Sequence, residues 1–207
     1  MRAEPLDIDI VAALREHQAR RAQYRDQQLT HLSTICHYID VFMEPERFGN
    51  DEPNPLIFNK GFLWEDVLST AFASQWGNLQ VELEWPASTK PRIVGTVDGL
   101  SLVKRRIKEY KNTKMSSRTP IVSNRYKHWH RRTMGYCYMA SCRFGRPYLQ
   151  AEYVVMHVNG HYEKGGGRFG DEEAMAHLVT FGEIEMQENW DSIITAYEEM
   201  QEKGLVK

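Results

Sequence analysis

The sequence predicts an α/β fold, in which a central mixed sheet carries helices on both sides and a helical section is added at the N-terminus. Three observations predict it. Apolar residues recur at helical spacing in residues 61–76 and 125–143. Between these stretches the period shortens to the alternation of strands, rich in Val and Ile. After them come a further strand pair and a closing amphipathic helix.

Taken in order, residues 7–43 read as largely helical, through Ile10, Leu14 and Tyr24 and then Leu29, Leu32, Ile35 and Ile39. Residues 45–55 hold three prolines and read as a loop. Leu63, Trp64, Val67, Leu68, Ala71 and Phe72 place one buried face on a helix over 61–76. Stretches 79–85, 92–103 and 105–114 read as an antiparallel meander. Residues 125–143 return to helix through Trp129, Tyr136, Cys137 and Ala140. A strand, a tight turn at Asn159-Gly160 and a second strand are expected over 151–164. A short strand follows at 177–182. A final helix over 188–204 buries Trp190, Ile193, Ile194 and Tyr197 and stops at Gly204. The organisation expected is one domain: an N-terminal helical section and loop over 1–55, then a core over 56–207.

Composition bounds the function classes. Apolar residues at 42% and charged residues at 26% are those of a globular chain. The N-terminus lacks the apolar run and small-residue cleavage site of a signal peptide, and no stretch is long enough to span a bilayer. The expectation is a soluble, cytoplasmic protein with no membrane partner. Three cysteines, Cys36, Cys137 and Cys142, cannot all pair and form no CxxC. They read as structural thiols, and no iron–sulfur cluster is expected.

Net charge is only −2, but its distribution is uneven. Between Lys104 and Arg132 eleven basic residues face one acid, Glu109, whereas from Asp171 onward ten acids face two lysines. Such a chain can offer a positive surface to phosphates, although a basic run is often only a solvated face.

The chemistry sits inside the basic stretch. Glu109 and Lys111, two apart on a strand, project from the same side while Tyr110 points away. Asp98 lies on the preceding strand, and a hairpin turning near Lys104 would bring it beside Glu109. Two adjacent carboxylates repel, so one takes a proton unless a cation intervenes. Mg²⁺ or Mn²⁺, which prefer oxygen ligands, would relieve the repulsion, activate a water and neutralise a scissile phosphate. Lys111 suits positioning that water or countering charge developing on phosphorus. The bland alternative for this trio is a surface salt bridge.

Further residues stand around it. Gly61 and Glu65 give GxxxE on the helix, Gly95 and Asp98 give GxxD at a strand end, Glu109 and Lys111 give ExK on the next strand, and Tyr136 follows on a helix. This order resembles the RecB-like branch of the PD-(D/E)xK nuclease superfamily, which includes RecB-type nuclease domains, phage exonucleases and CRISPR-adaptation nucleases. The resemblance runs from about residue 61 to 140 and extends, less specifically, over the closing strands and helix. It implies a restriction-endonuclease-like fold, with Asp98 and Glu109 as metal ligands. It makes Lys111 the catalytic lysine, Glu65 a metal-shell or water-orienting acid, and the Tyr110 carbonyl a further ligand. The family's QxxxY motif departs here, since Arg132 stands in the Gln position before Tyr136. Arg132 could bind phosphate more strongly than Gln, or mark a different helix register.

The resemblance also implies DNA as the partner, single-stranded or at duplex ends. An exonuclease in recombination, repair or phage replication is expected, in a bacterial or phage-infected cell and with a possible recombination or single-strand-binding partner. Lys114, Arg118, Arg125, Lys127 and Arg131 would meet the backbone, with Tyr126 and Trp129 either stacking bases or packing in the core. The rivals are a structure- or site-specific endonuclease on the same scaffold, and a binding protein that has lost catalysis. His128 and His130 are not a metal pair at that spacing, His157 and His161 read as structural, and Lys164 to Arg168 reads as a flexible loop.

Overall fold

The computed structural model describes residues 29–49, 63–68, 70–71, 78–85, 93–160 and 173–206. Their framework is a six-stranded mixed sheet flanked by helices. Strand β1 (Thr30–His31) leads into helix α1 (Leu32–Met43) and the short α2 (Pro45–Phe48). Residues 63–68 are helical. Strands β2 (Asn78–Trp85), β3 (Ile93–Ser101) and β4 (Arg106–Thr113) form the expected antiparallel meander. A 3₁₀ turn (Asn124–Tyr126) opens helix α3 (Lys127–Phe144). Strands β5 (Gln150–His157) and β6 (Glu173–Thr180) precede helix α4 (Glu183–Glu202).

The pairing of β4 with β5 is parallel over eight residues, from Arg106 opposite Gln150 to Thr113 opposite His157. A parallel pair needs a crossover, and α3 supplies it. Buried positions Trp129, Thr133, Tyr136, Cys137 and Ala140 lie three or four apart along α3, so one face of the helix meets the sheet. Gly145 ends it with φ of 62°, the left-handed cap that glycine adopts without a Cβ clash. Helices α1, α3 and α4 pack on one another. Leu32 and Ile35 of α1, Cys137 of α3 and Ile193 of α4 join Leu83 and Val155 of the sheet in one core.

β3 organises the sheet. One of its edges carries β2 along its whole length, from Trp85 opposite Ile93 to Asn78 opposite Leu100. The other edge is shared. β1 pairs there in parallel with Ile93 and Val94, and β4 pairs only at Gly99, Leu100 and Ser101. Between these two partners, residues 95–98 of β3 pair with no described strand on that side. The alternation of buried residues also slips, because Val97 and Leu100 both enter the core although three apart. The register with β2 runs through this stretch without an extra residue, so β3 is buried on both faces here, as befits the centre of a sheet.

Several sequence expectations are corrected. Residues 45–48 lie in the expected loop but form one helical turn, because Pro45 at its start costs no hydrogen bond there. β1 falls within the expected N-terminal helix, because a strand of two residues carries no readable alternation. The chain does turn after β5, where the Gly160 N–H donates to the His157 carbonyl at 2.9 Å, but the antiparallel partner of β5 is β6, from His157 opposite Glu173 to Gln150 opposite Thr180. β6 also begins four residues before the expected strand. α4 starts five residues early, where the Glu185 carboxylate accepts the Gly182 N–H at 3.3 Å and fixes the first turn. Helix over residues 7–28, the flanks of the 61–76 helix and a strand at 161–164 fall outside the described residues. Among the described residues no helix is long and apolar enough to cross a membrane, and all three cysteines are free.

Candidate active site

Asp98 lies where β3 and β4 part. Their ladder ends at Gly99 opposite Lys108, and one residue further the Asp98 side chain takes over the role of the backbone. Its Oδ2 accepts the Tyr110 N–H at 2.7 Å. Glu109 then lies beside Asp98, as the hairpin predicts. Glu109 and Lys111 share one side of β4, and the Lys111 Nζ donates to Glu109 Oε2. Both side chains are buried, with Glu109 only 3% exposed. The other carboxylate oxygen, Glu109 Oε1, is buried without a hydrogen-bond partner among the described residues.

The opposite side of β4 shows what an ordinary structural ion pair looks like. Lys108 reaches Glu152 of β5 at 3.1 Å, and Arg106 reaches the same carboxylate at 2.9 Å. There one acid is matched by two cations.

At Asp98 the balance differs. Burial pushes its carboxyl up to about 8, and the nearby Glu109 and Glu65 carboxylates push in the same direction against Lys111 and the Tyr110 N–H. Lys111 is held below the usual lysine range, first by burial and then by the adjacent Arg132 guanidinium. Burial also opposes the charge on Arg132, but Tyr136, Glu109 and Asp98 more than offset it and its pKa is raised. The Tyr136 hydroxyl is raised too, by burial and by the two carboxylates. One small volume therefore holds two acids, an ammonium, a guanidinium and a phenol.

Tyr136 reaches it because β3 carries a glycine. A Cβ on Gly95 would stand 2.5 Å from Tyr136 Cε1, so only a residue without a side chain lets the ring lie against the strand. The GxxD spacing thus has a steric cause: Gly95 admits the helix, and Asp98 follows three residues on.

The remaining candidates are placed as follows. Glu65, in the 63–68 helical segment, bonds the amide of Gln80 on β2. Lys127 is ion-paired with Glu44 at 2.6 Å, and Arg131 with the buried Asp40 of α1. Lys114, Arg118 and Arg125 are exposed on the segment between β4 and α3. Trp129 is 9% exposed and stacks on Tyr126, with ring centroids 4.5 Å apart, so it is a core residue. His130 bonds the Tyr153 hydroxyl and the Ile121 carbonyl. Two residues near the site carry no signal in the sequence. Gln80 is an isolated Gln in a strand, and only the register places it opposite Asp98. His128 shows no ligand spacing, yet it stands near Arg132 and Lys111, and burial lowers it to about 4.

Among the described residues no set of three or more Asp, Glu, His or Cys side chains forms a ready metal cage. The donors present are two carboxylates, one with an unpartnered buried oxygen, and the backbone at Tyr110. A hard cation such as Mg²⁺ keeps several waters and needs only one or two carboxylates, so this donor set fits it.

No protein-family model matches the chain, and no curated protein is similar to it in sequence. In fold it is similar to the solved structure of SSO0001, with a TM-score of 0.55 and 10% identity over 92% of this chain and 88% of that one. A phage-related exonuclease from Haemophilus somnus 129PT matches with a TM-score of 0.44 and 11% identity, over 83% of this chain and 82% of that one. A candidate exonuclease from Eubacterium rectale matches with a TM-score of 0.41 and 13% identity, over 92% of this chain and 74% of that one. At these identities the likeness to SSO0001 is one of fold, and the two weaker matches add nothing on activity.

Proposed function

We propose that the chain is a divalent-metal-dependent nuclease that hydrolyses phosphodiester bonds in DNA, acting as an exonuclease. The observation that carries this reading is the meeting of Asp98, Glu109 and Lys111 where β3 and β4 part. There a like-charged carboxylate pair, one of whose buried oxygens has no partner among the described residues, adjoins an ammonium. Burial first, and then the Glu109 charge, raise Asp98, and a divalent cation would offset both by favouring the ionised carboxylates.

Asp98, Glu109 and the Tyr110 carbonyl would hold Mg²⁺ or Mn²⁺, with Glu65 beside them. When bound, the ion supplies charge neutralisation at the scissile phosphate and a more acidic water. Lys111 Nζ, anchored by Glu109, would orient the attacking water and balance charge at phosphorus. Arg132 is a fixed, permanent cation able to grip a phosphate with two parallel N–H donors. Tyr136 packs against Gly95 and holds α3, and with it Arg132, against the site. Exonucleolytic action and a role in recombination, repair or phage replication rest on the motif resemblance.

The test uses end-labelled linear duplex, linear single-stranded and covalently closed circular DNA, with Mg²⁺, Mn²⁺ or EDTA, for the parent chain and Lys111→Ala. Metal-dependent loss of linear DNA that spares the circle and disappears in the variant is the expected result. Cutting of the circle would contradict the exonuclease, and equal cleavage by parent and variant would contradict the site.

A further inference from the structure

Two non-glycine residues among those described have positive φ: Arg105 at 54° and Gln80 at 51°. Arg105 turns the β3–β4 hairpin, where left-handed backbone is ordinary. Gln80 lies inside β2, where extended backbone is the rule and a left-handed residue is disfavoured. The pairs on either side, Leu79 with Gly99 and Val81 with Val97, set Gln80 opposite Asp98. Its Nε2 donates to Glu65 Oε1. Asp98 is thus flanked on one side by β4, which carries Glu109, and on the other by a strained Gln80 that grips Glu65. Glu65 is close enough to act on the Asp98 carboxyl. Strained backbone persists where its surroundings require it, and such positions gather at functional sites.

We propose that Gln80 is a positioning residue, whose left-handed backbone and side-chain amide hold Glu65 against the Asp98 carboxylate to complete the acidic side of the metal centre. This rests on the metal-centre reading above and adds to it the means by which the helical segment 63–68 is tied to the sheet. Glu65 lies on the helical segment 63–68, outside the sheet that carries Asp98 and Glu109. With Gln80 bonded to it, the acid is oriented beforehand, as outer partners orient the ligands of metal sites generally.

Glycine separates the two roles of Gln80, because it adopts positive φ without penalty but has no amide to offer. Mn²⁺ affinity is measured by calorimetry for the parent chain, Gln80→Gly, Glu65→Gln and the double variant, with melting temperature followed in parallel. The expected result is a Gln80→Gly chain that melts no lower than the parent yet binds Mn²⁺ about 10-fold more weakly. The double variant should then bind no more weakly than Glu65→Gln alone, since both substitutions break one device. Unchanged Mn²⁺ affinity in Gln80→Gly, or effects that add in full, would overturn the positioning role while leaving the metal centre standing. A parent chain that takes up no Mn²⁺ would overturn the metal centre and this role with it. Gln80→Asn also tolerates the left-handed region but is one methylene too short to reach Glu65. It carries the same comparison if the glycine variant does not fold.

Discussion

Lys111 and Lys108 are three residues apart on one strand, both buried, and both ion-paired with a glutamate. Their partners distinguish them. Lys108 shares Glu152 with Arg106, whereas the glutamate held by Lys111 adjoins a second acid and an arginine. Lys111→Ala is therefore expected to lower cleavage at least about 100-fold, the scale of removing one preorganised charge at a reacting phosphate. The same variant should bind Mn²⁺ at least as tightly as the parent, because a cation beside the two carboxylates has been removed. Cleavage rates and calorimetry on one preparation check both statements. His128 allows a different test. Its ordinary value of 6.5 falls to about 4 in the folded chain, through burial and then the charges of Arg47 and Arg132. Between these values the unfolded chain binds the proton and the folded chain resists it. Stability from this group is thus fully present above 6.5 and is lost as pH falls toward 4. Urea midpoints at about pH 7 and about pH 5 should differ less in His128→Gln than in the parent.

At the scale of elements, the packing of α3 on β3 depends on Gly95. Gly95→Ala puts a methyl 2.5 Å from the Tyr136 ring, and the expected cost is about 1–3 kcal/mol of stability together with cleavage activity. Chemical denaturation and a rate measurement report the two effects. Lys108→Met gives the contrasting case. Arg106 still holds Glu152, so the cost should be about 2 kcal/mol, below that of a buried pair left with a bare charge, and cleavage per folded molecule should not change. The elements legible in the sequence are those with strong periods: the meander, α3 and α4. Their pairing is legible where a short hairpin enforces it, as with Asp98 and Glu109. β1 is not, because two residues show no period. Nor is Gln80, whose meaning comes from a register between strands and from a side-chain partner fifteen residues away. The GxxD spacing is readable as a motif, but its steric cause needs Tyr136 in place.

At the scale of the molecule, the basic stretch seen in the sequence divides in two. Lys108, Lys127 and Arg131 are engaged with Glu152, Glu44 and Asp40 and serve the fold. Lys114, Arg118 and Arg125 are exposed between β4 and α3, and on the proposed nuclease reading they would meet a DNA backbone. A linear count of charge cannot make that division, since each acid partner comes from another element. DNA affinity of the Lys111→Ala chain should fall steeply with salt. Replacing Lys114, Arg118 and Arg125 together by Ala should reduce the log–log slope by about 2–3, near one for each phosphate no longer neutralised. Fluorescence anisotropy over a salt series measures that slope. All of this depends on whether two carboxylates from neighbouring strands share a cation, and crystals soaked in Mn²⁺ answer it directly. The expected anomalous map shows density within about 2.2 Å of Asp98 and Glu109 oxygens, absent in Asp98→Asn. Density elsewhere only, or none in the parent, would contradict the metal centre.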